Sequence, residues 1–208
     1  MHIIGDVHGN WPNYFKIIKD LDESIQVGDL GIGFNKDPKE WGVSHRFIRG
    51  NHDNPTECAK YPNYLGDYGI LPNGIFYVGG AYSIDYKWRQ SWNYLHPNNQ
   101  VWWEDEEIKE EEFPTIIDLY KSTKPVAVIS HDCPEFIRER IISKHPSDTR
   151  RFINRTCDGL LSTMAEEYSP QVWVFGHYHE SFELYIYGTH YIGLAELEIC
   201  DISKYFEN

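Results

Sequence analysis

Cysteine is scarce in this chain, and the four present, Cys58, Cys133, Cys157 and Cys200, stand far apart with no Cys-x-x-Cys pair. That spacing excludes a disulfide framework and a zinc knuckle. It predicts reduced thiols packed as small hydrophobes in an intracellular protein. Positive charge is also scarce, with 19 Lys and Arg against 32 Asp and Glu and a net charge of −13. Nucleic-acid binding rests mainly on cations that neutralise phosphates, so an acidic chain is not a bulk DNA-coating protein. A nucleotide can still be met at one local pocket, because two bound divalent ions would supply positive charge there. Long apolar runs are missing. The first residues, His2-Ile3-Ile4-Gly5-Asp6, carry neither a basic leader region nor a stretch of membrane length. The expectation is a cytoplasmic protein with no membrane partner. Internal repeats and low-complexity linkers are lacking too, so the 208 residues read as one domain, 1–208, with the oligomeric state left open.

What the chain does have is a large apolar and aromatic content: 41% hydrophobic residues, with 15 Tyr, 10 Phe and 7 Trp. That is enough for one substantial core. Five short apolar runs each stop at a polar cluster. Ile3-Ile4 leads to Gly5-Asp6-Val7-His8-Gly9, and Ile25-Gln26-Val27 leads to Gly28-Asp29. Arg46-Phe47-Ile48-Arg49 leads to Gly50-Asn51-His52-Asp53, and Val126 to Ser130 leads to His131-Asp132. Val172 to Phe175 leads to Gly176-His177-Tyr178-His179. Buried strands read as continuous apolar runs, and α/β sheets bind ligands beyond the carboxyl ends of their strands. The five clusters should therefore converge on one rim.

Elsewhere Tyr14, Phe15, Ile17, Ile18 and Leu21 have helical spacing, and Ile75 to Val78 reads as a further strand. Residues 148–168 read as a helix with Phe152, Leu160, Leu161 and Met164 inward. Phe182 to Tyr187 and His190 to Ile192 read as a hairpin turning at Gly188-Thr189. An irregular aromatic and acidic insertion is expected near 85–125, with Glu104 to Glu107 a solvated helix start. Its Trp88, Trp92, Trp102 and Trp103 are expected to pack the insertion, base stacking being the alternative.

Asp6, His8, Asp29, Asn51, His131, His177 and His179 offer oxygen and nitrogen donors without thiolate. Such a set suits manganese, iron, zinc, nickel or cobalt. Seven ligands are too many for one catalytic ion that keeps an open position, and suit two ions sharing a bridging carboxylate. His2, His45, His96, His145 and His190 match no motif and are assigned no role.

Taken in order, Gly5-Asp6-Val7-His8-Gly9, Gly28-Asp29, Gly50-Asn51-His52-Asp53, Ser130-His131 and Gly176-His177-Tyr178-His179 resemble the calcineurin-like metallophosphoesterase superfamily. The resemblance runs from residue 5 to residue 179. It implies an α/β fold, a four-layer α/β/β/α sandwich of two mixed sheets flanked by helices. It also implies Asp6, His8 and His179 on one metal, Asn51, His131 and His177 on the other, and Asp29 bridging. His52 would be a catalytic histidine that binds no metal. The implied reaction is phosphoester hydrolysis, by in-line attack of a metal-bridged hydroxide on phosphorus. Two divalent ions, manganese first, would be the cofactors. His52 would protonate the leaving group or hydrogen-bond the phosphate.

Where the serine/threonine phosphatase branch has Gly-Asp-x-x-Asp-Arg-Gly, this chain reads Gly28-Asp29-Leu30-Gly31-Ile32-Gly33-Phe34. The missing second Asp and Arg weigh against a protein phosphatase and leave Asp53 or Asp132 to orient His52. Arg49 and Arg89 are the candidate substrate-binding residues. The stretch from Gly79 to Arg89, with Trp102-Trp103 and the glutamates after it, is similar to bacterial and phage members of the superfamily. A small nucleotide ester is the expected substrate, mono- or diester. The alternatives are a nuclease on RNA or DNA, using Arg138, Arg140, Arg150, Arg151 and Arg155, and a non-catalytic binding module, which would have lost ligands.

Overall fold

The computed structural model describes residues 1–34, 37–38, 41–142 and 154–207. Phe152, His145, Arg150 and Arg151 lie outside the described residues, as does the side chain of Cys157. Among the described residues ten strands form two sheets: β1 (His2–Ile4), β2 (Ser24–Gln26) and β3 (His45–Phe47) in one, with β10 (Ile199–Asp201) antiparallel on the edge beside β1. The other runs β4 (Tyr68–Ile70), β5 (Ile75–Val78), β6 (Ala127–Ser130), β7 (Val172–Phe175), β9 (Thr189–Gly193), β8 (Phe182–Ile186). Within each sheet the inner strands are parallel, β1-β2-β3 and β5-β6-β7-β9, and the edges β10, β4 and β8 are antiparallel.

The period-2 alternation of strand side chains sorts the core into three slabs. Ile3, Ile25, Val27 and Ile48 of the first sheet pack against Ile75, Tyr77, Ile129, Val172 and Val174 of the second, filling the space between sheets. The intervening residues point outward. Ile4 and Phe47 meet α1 (Trp11–Ile18) through Trp11, Tyr14 and Ile18, and the short α2 (Pro55–Cys58) adds Cys58 to the same slab. Phe76, Val128, Trp173 and Phe175 meet α4 (Phe113–Thr123), α5 (Glu135–Ile142) and α6 (Ser162–Glu167). Helix, sheet, sheet, helix is thus the layer order, as expected. Among the described residues no helix is long and apolar enough to cross a membrane. Cys58, Cys133 and Cys200 are free thiols, the first two buried.

The span expected to be irregular contains a ten-residue helix, α3 (Tyr86–Leu95), and the acidic run is no solvated helix start. Glu106 and Glu107 are buried, and helix begins only at the 3-10 turn Glu110–Glu112 before α4. The reason is local. Glu106 is an acceptor for Ser83, and Glu107 for Arg155 and the Thr156 amide. The hairpin turns one residue earlier than expected, at Tyr187-Gly188 with φ of 52° and 85°. Positive φ at both central residues is the two-residue turn whose twist matches its strands. The helix expected over 148–168 is, in its described part, a π-helical stretch Arg155–Leu161 running into α6, with Leu160, Leu161 and Met164 fully buried. Trp103 packs edge-on to Phe34, whereas Trp88 is exposed.

Candidate metal centre

Every proposed ligand follows the carboxyl end of a parallel strand. Asp6 and His8 come after β1, Asp29 after β2, Asn51 and His52 after β3, His131 after β6, and His177 and His179 after β7. Because the two sheets pack face to face, these ends meet at one rim. The loops are tightly wound: His8, Asp29, His177 and His179 have φ of 47°, 55°, 70° and 54°. Left-handed backbone at a non-glycine residue costs about 1–3 kcal/mol and persists where surrounding structure enforces it, commonly at functional sites. The glycines beside the ligands have a steric cause. A β-carbon on Gly50 would run into Asp29 Oδ1 and the Asp29 amide, and one on Gly176 into Asp6 Oδ1.

Two clusters result. Asp6, His8, Asp29 and His179 place one ligand atom each within 4.8 Å of the others, and so do Asp29, His131 and His177. Asp29 belongs to both. His8 Nε2 and His179 Nε2 are 2.9 Å apart, His179 Nε2 is 3.2 Å from Asp6 Oδ2, and His131 Nε2 is 3.3 Å from Asp29 Oδ1. Asn51 Oδ1 lies 3.2 Å from His131 Nε2, which brings the seventh residue to the second cluster. Asp6, Asp29 and His131 have almost no exposed surface.

Burial alone would lift Asp29, but the opposed charge and hydrogen bond of His131, with His52 and His8, hold it well below the usual carboxylate range. Burial likewise disfavours a charged His131, yet Asp29 overrides it and raises His131 to about 10. Burial pushes His177 down, keeping its lone pair free. His131 Nδ1 donates to the Val27 carbonyl at 2.8 Å, which turns Nε2 toward Asp29. An imidazole oriented through its far nitrogen, buried carboxylates and an absence of thiolate fit divalent cations of borderline hardness.

His52 stands beside the first cluster, its ring centroid 5.1 Å from that of His8. Burial drives its pKa down to about 4, and the Arg89 guanidinium adds to that effect against Asp29. Neither acid expected to orient His52 does so. Asp53 is turned inward and accepts the amides of Leu30, Gly31, Ile32 and Gly50, tying the Asp29 loop to the Asn51 loop. Asp132 accepts from Tyr178, Asn154 and the Cys133 amide. Arg89 takes the position instead. Its Nη2 donates to the His52 ring, 2.6 Å from Nδ1 and in contact with Nε2, while Nε pairs with Asp85 at 2.9 Å. Arg49 is 2% exposed and committed to Asp67 (2.5 Å) and the Glu106 carbonyl (2.6 Å). Its guanidinium is a strut of the fold and is not offered to a ligand.

Two residues that no sequence motif singled out touch the site: Ser83, which accepts from Asn51 Nδ2 at 3.0 Å, and Glu106 behind it. Only the likeness of the stretch Gly79 to Arg89, with the glutamates after Trp102-Trp103, to other superfamily members pointed there. Beside His8 and His52 opens a cavity of about 550 Å³, completed by Gly9, Trp11, Pro12, Gly31 and Phe34. One wall is thus aromatic and apolar and the other carries the two imidazoles.

Among solved structures the chain is similar to phosphopantetheinyl hydrolase (PptH) from Mycobacterium tuberculosis. Identity is 12% and the TM-score 0.47, over 94% of this chain and 89% of that one. It is also similar to GAP50, the anchor in the inner membrane complex of Plasmodium, at 7% identity and a TM-score of 0.46 over 94% and 71%. Likeness at this level carries nothing about substrate. No curated protein matches the sequence significantly. The family model of calcineurin-like phosphoesterases matches residues 2–181, a span that contains all seven candidate ligands, and the chain belongs to that family.

Proposed function

We propose that this protein hydrolyses phosphate mono- or diesters of small molecules with a flat leaving group, nucleotides being the favoured class. The observation that carries the reading is adjacency: the aromatic cavity shares His8 with the first ligand cluster and places His52 beside it. A phosphoryl group at the clusters would leave its attached group facing Trp11 and Phe34, a surface suited to stacking. Asp6, His8 and His179 would hold one divalent ion, Asn51, His131 and His177 the other, and Asp29 both. Manganese is the proposed ion, with iron, zinc, nickel or cobalt as alternatives. Such a pair, when bound, lowers the pKa of water and neutralises charge on phosphoryl oxygens.

The chain's own groups do the rest. His52, neutral at its depressed pKa, has one lone pair for Arg89 to donate to, and its remaining ring N–H would be the group to hydrogen-bond a phosphoryl or leaving oxygen. Arg89 fixes that ring and adds positive charge, which favours this role over proton donation by an imidazolium. A nuclease would need a basic groove. The described arginines of the late cluster are instead engaged: Arg138 by Glu135 and Asp158, Arg155 by Glu107, and Arg140 by the Phe136 carbonyl. All seven candidate ligands are present, which weighs against a binding module. Free thiols support a reducing compartment, the cytoplasm.

The test is hydrolysis of bis-p-nitrophenyl phosphate and p-nitrophenyl phosphate by metal-stripped protein, with divalent ions added back. Turnover restored by manganese and lost in Asp29→Ala is expected, and the preferred ester separates diesterase from monoesterase. Absence of turnover with every divalent metal would overturn the reading.

A further inference from the structure

Asn51 is the one amide among the seven candidate ligands, and an amide has a wrong end. Its oxygen can coordinate a cation, whereas its NH2 group only donates hydrogen bonds. What decides which end faces the site is a chain of three groups. Asn51 Nδ2 is 3.0 Å from Ser83 Oγ, Ser83 Oγ is 2.7 Å from Glu106 Oε2, and the Ser83 amide donates to Glu106 Oε1 at 2.9 Å. When Glu106 is ionised its carboxylate accepts and cannot donate, so the single hydroxyl hydrogen of Ser83 must go to it. Only a lone pair of Ser83 is then left for Asn51. The amide answers with its NH2 and turns Oδ1 toward His131 Nε2, 3.2 Å away.

We propose that Ser83 and Glu106 are positioning residues: they dictate the direction of hydrogen bonding and so hold the oxygen of Asn51 toward the second cation site. The proposal rests on the reading of Asn51 as a metal ligand. The architecture around Glu106 supports it. Ser83 is 1% and Glu106 4% exposed, in an acidic stretch whose first two carboxylates, Glu104 and Asp105, stay exposed. Burying a carboxylate is costly unless its partners are in place. Arg49, itself buried, clamps the Glu106 carbonyl at 2.6 Å and is anchored by Asp67. Gly80 leaves room for that carbonyl, which a β-carbon would meet at 2.5 Å. Glu106→Gln keeps the shape and inverts the polarity. Its NH2 would donate to Ser83 Oγ, the hydroxyl would donate to Asn51 Oδ1, and the amide nitrogen would be turned into the site.

The experiment measures Mn2+ stoichiometry and affinity by calorimetry at pH 8.5 on metal-stripped wild type, Ser83→Ala, Ser83→Thr and Glu106→Gln. Ser83→Ala is repeated in an Asn51→Asp background. Wild type should bind two ions. Ser83→Ala and Glu106→Gln should keep one site and weaken the other by about 10–100-fold, the usual effect of losing a residue that orients a ligand. Ser83→Thr, which retains the hydroxyl, should restore it. In the Asn51→Asp background Ser83→Ala should be silent, because a carboxylate offers oxygen at either end. Two sites of unchanged affinity in Ser83→Ala and Glu106→Gln would overturn the proposal while leaving the metal reading intact. A loss of equal size in the Asn51→Asp background would overturn it as well, since that marks a merely structural role. Wild type that binds fewer than two ions would overturn the ligand reading of Asn51 together with it. Glu106→Gln and Ser83→Thr carry the test if Ser83→Ala does not fold.

Discussion

Replacing Glu106 by Gln should stabilise the metal-free protein, by an amount that grows as pH rises from about 4.5 to about 7 and is constant above that. Burial lifts the Glu106 carboxyl from its ordinary 4.5 to about 7, against the pull of two hydrogen bonds from Ser83, the indole of Trp102 and the charge of Arg89. A raised carboxyl pKa means that the fold prefers the protonated form. That preference contributes fully below pH 4.5 and is lost as pH rises through about 7. At higher pH the protein carries a buried carboxylate, and an interval of about 2.5 pH units corresponds to about 3 kcal/mol. Glutamine never ionises and keeps both Ser83 contacts, since Oε1 still accepts the Ser83 amide and Nε2 can donate to Ser83 Oγ. The variant should therefore match wild type at pH 5 within about 1 kcal/mol and exceed it by up to about 3 kcal/mol at pH 8.5. Urea unfolding with chelator present, at both pH values and with unchanged m, is the assay. A variant less stable than wild type at pH 8.5, or one whose advantage is the same at both, would refute the reasoning. Stability and metal binding would then move in opposite directions in one substitution, as expected where a buried polar group serves function.

Asp29→Ala removes the one carboxylate common to both clusters, so bound manganese should fall below one ion per chain by elemental analysis of dialysed protein. Phe34→Ala should raise KM for aromatic or nucleotide esters by about tenfold, the low end of a stacking contact, with kcat little changed. Equal effects on methyl and aryl phosphates in steady-state kinetics would contradict this. Gly50→Ala drives a methyl into Asp29 and its amide, and should abolish manganese uptake even where circular dichroism reports a folded chain. Manganese at about 100 times its Kd should stabilise the wild type by about 2.7 kcal/mol over the stripped protein in denaturant titration. Asp29→Ala should show no such gain.

The strands and the candidate ligands at their ends were legible because each is a local statement. An apolar run such as Val172 to Phe175 can only be buried, and the Gly-His-x-His at its end can only sit at the sheet's rim. Element boundaries moved by one or two residues, as in β3 and the hairpin turn, because apolar patterning does not say where ladder pairing stops. Residues whose meaning depends on a distant partner were not legible. Glu106 looks like any glutamate in an acidic run, and only its approach to Ser83, 23 positions away, makes it a buried acceptor. Arg49 looked like a phosphate-binding arginine until Asp67 claimed it, and Arg89 rather than Asp53 met the His52 ring. By itself the sequence determined the α/β fold class, through periodicity, and the family, through the motifs in which the candidate ligands stand. Which side chains are spent on the fold and which face the cavity was decided only by tertiary packing, because charge pairing and burial are properties of space and leave no periodic trace in the chain.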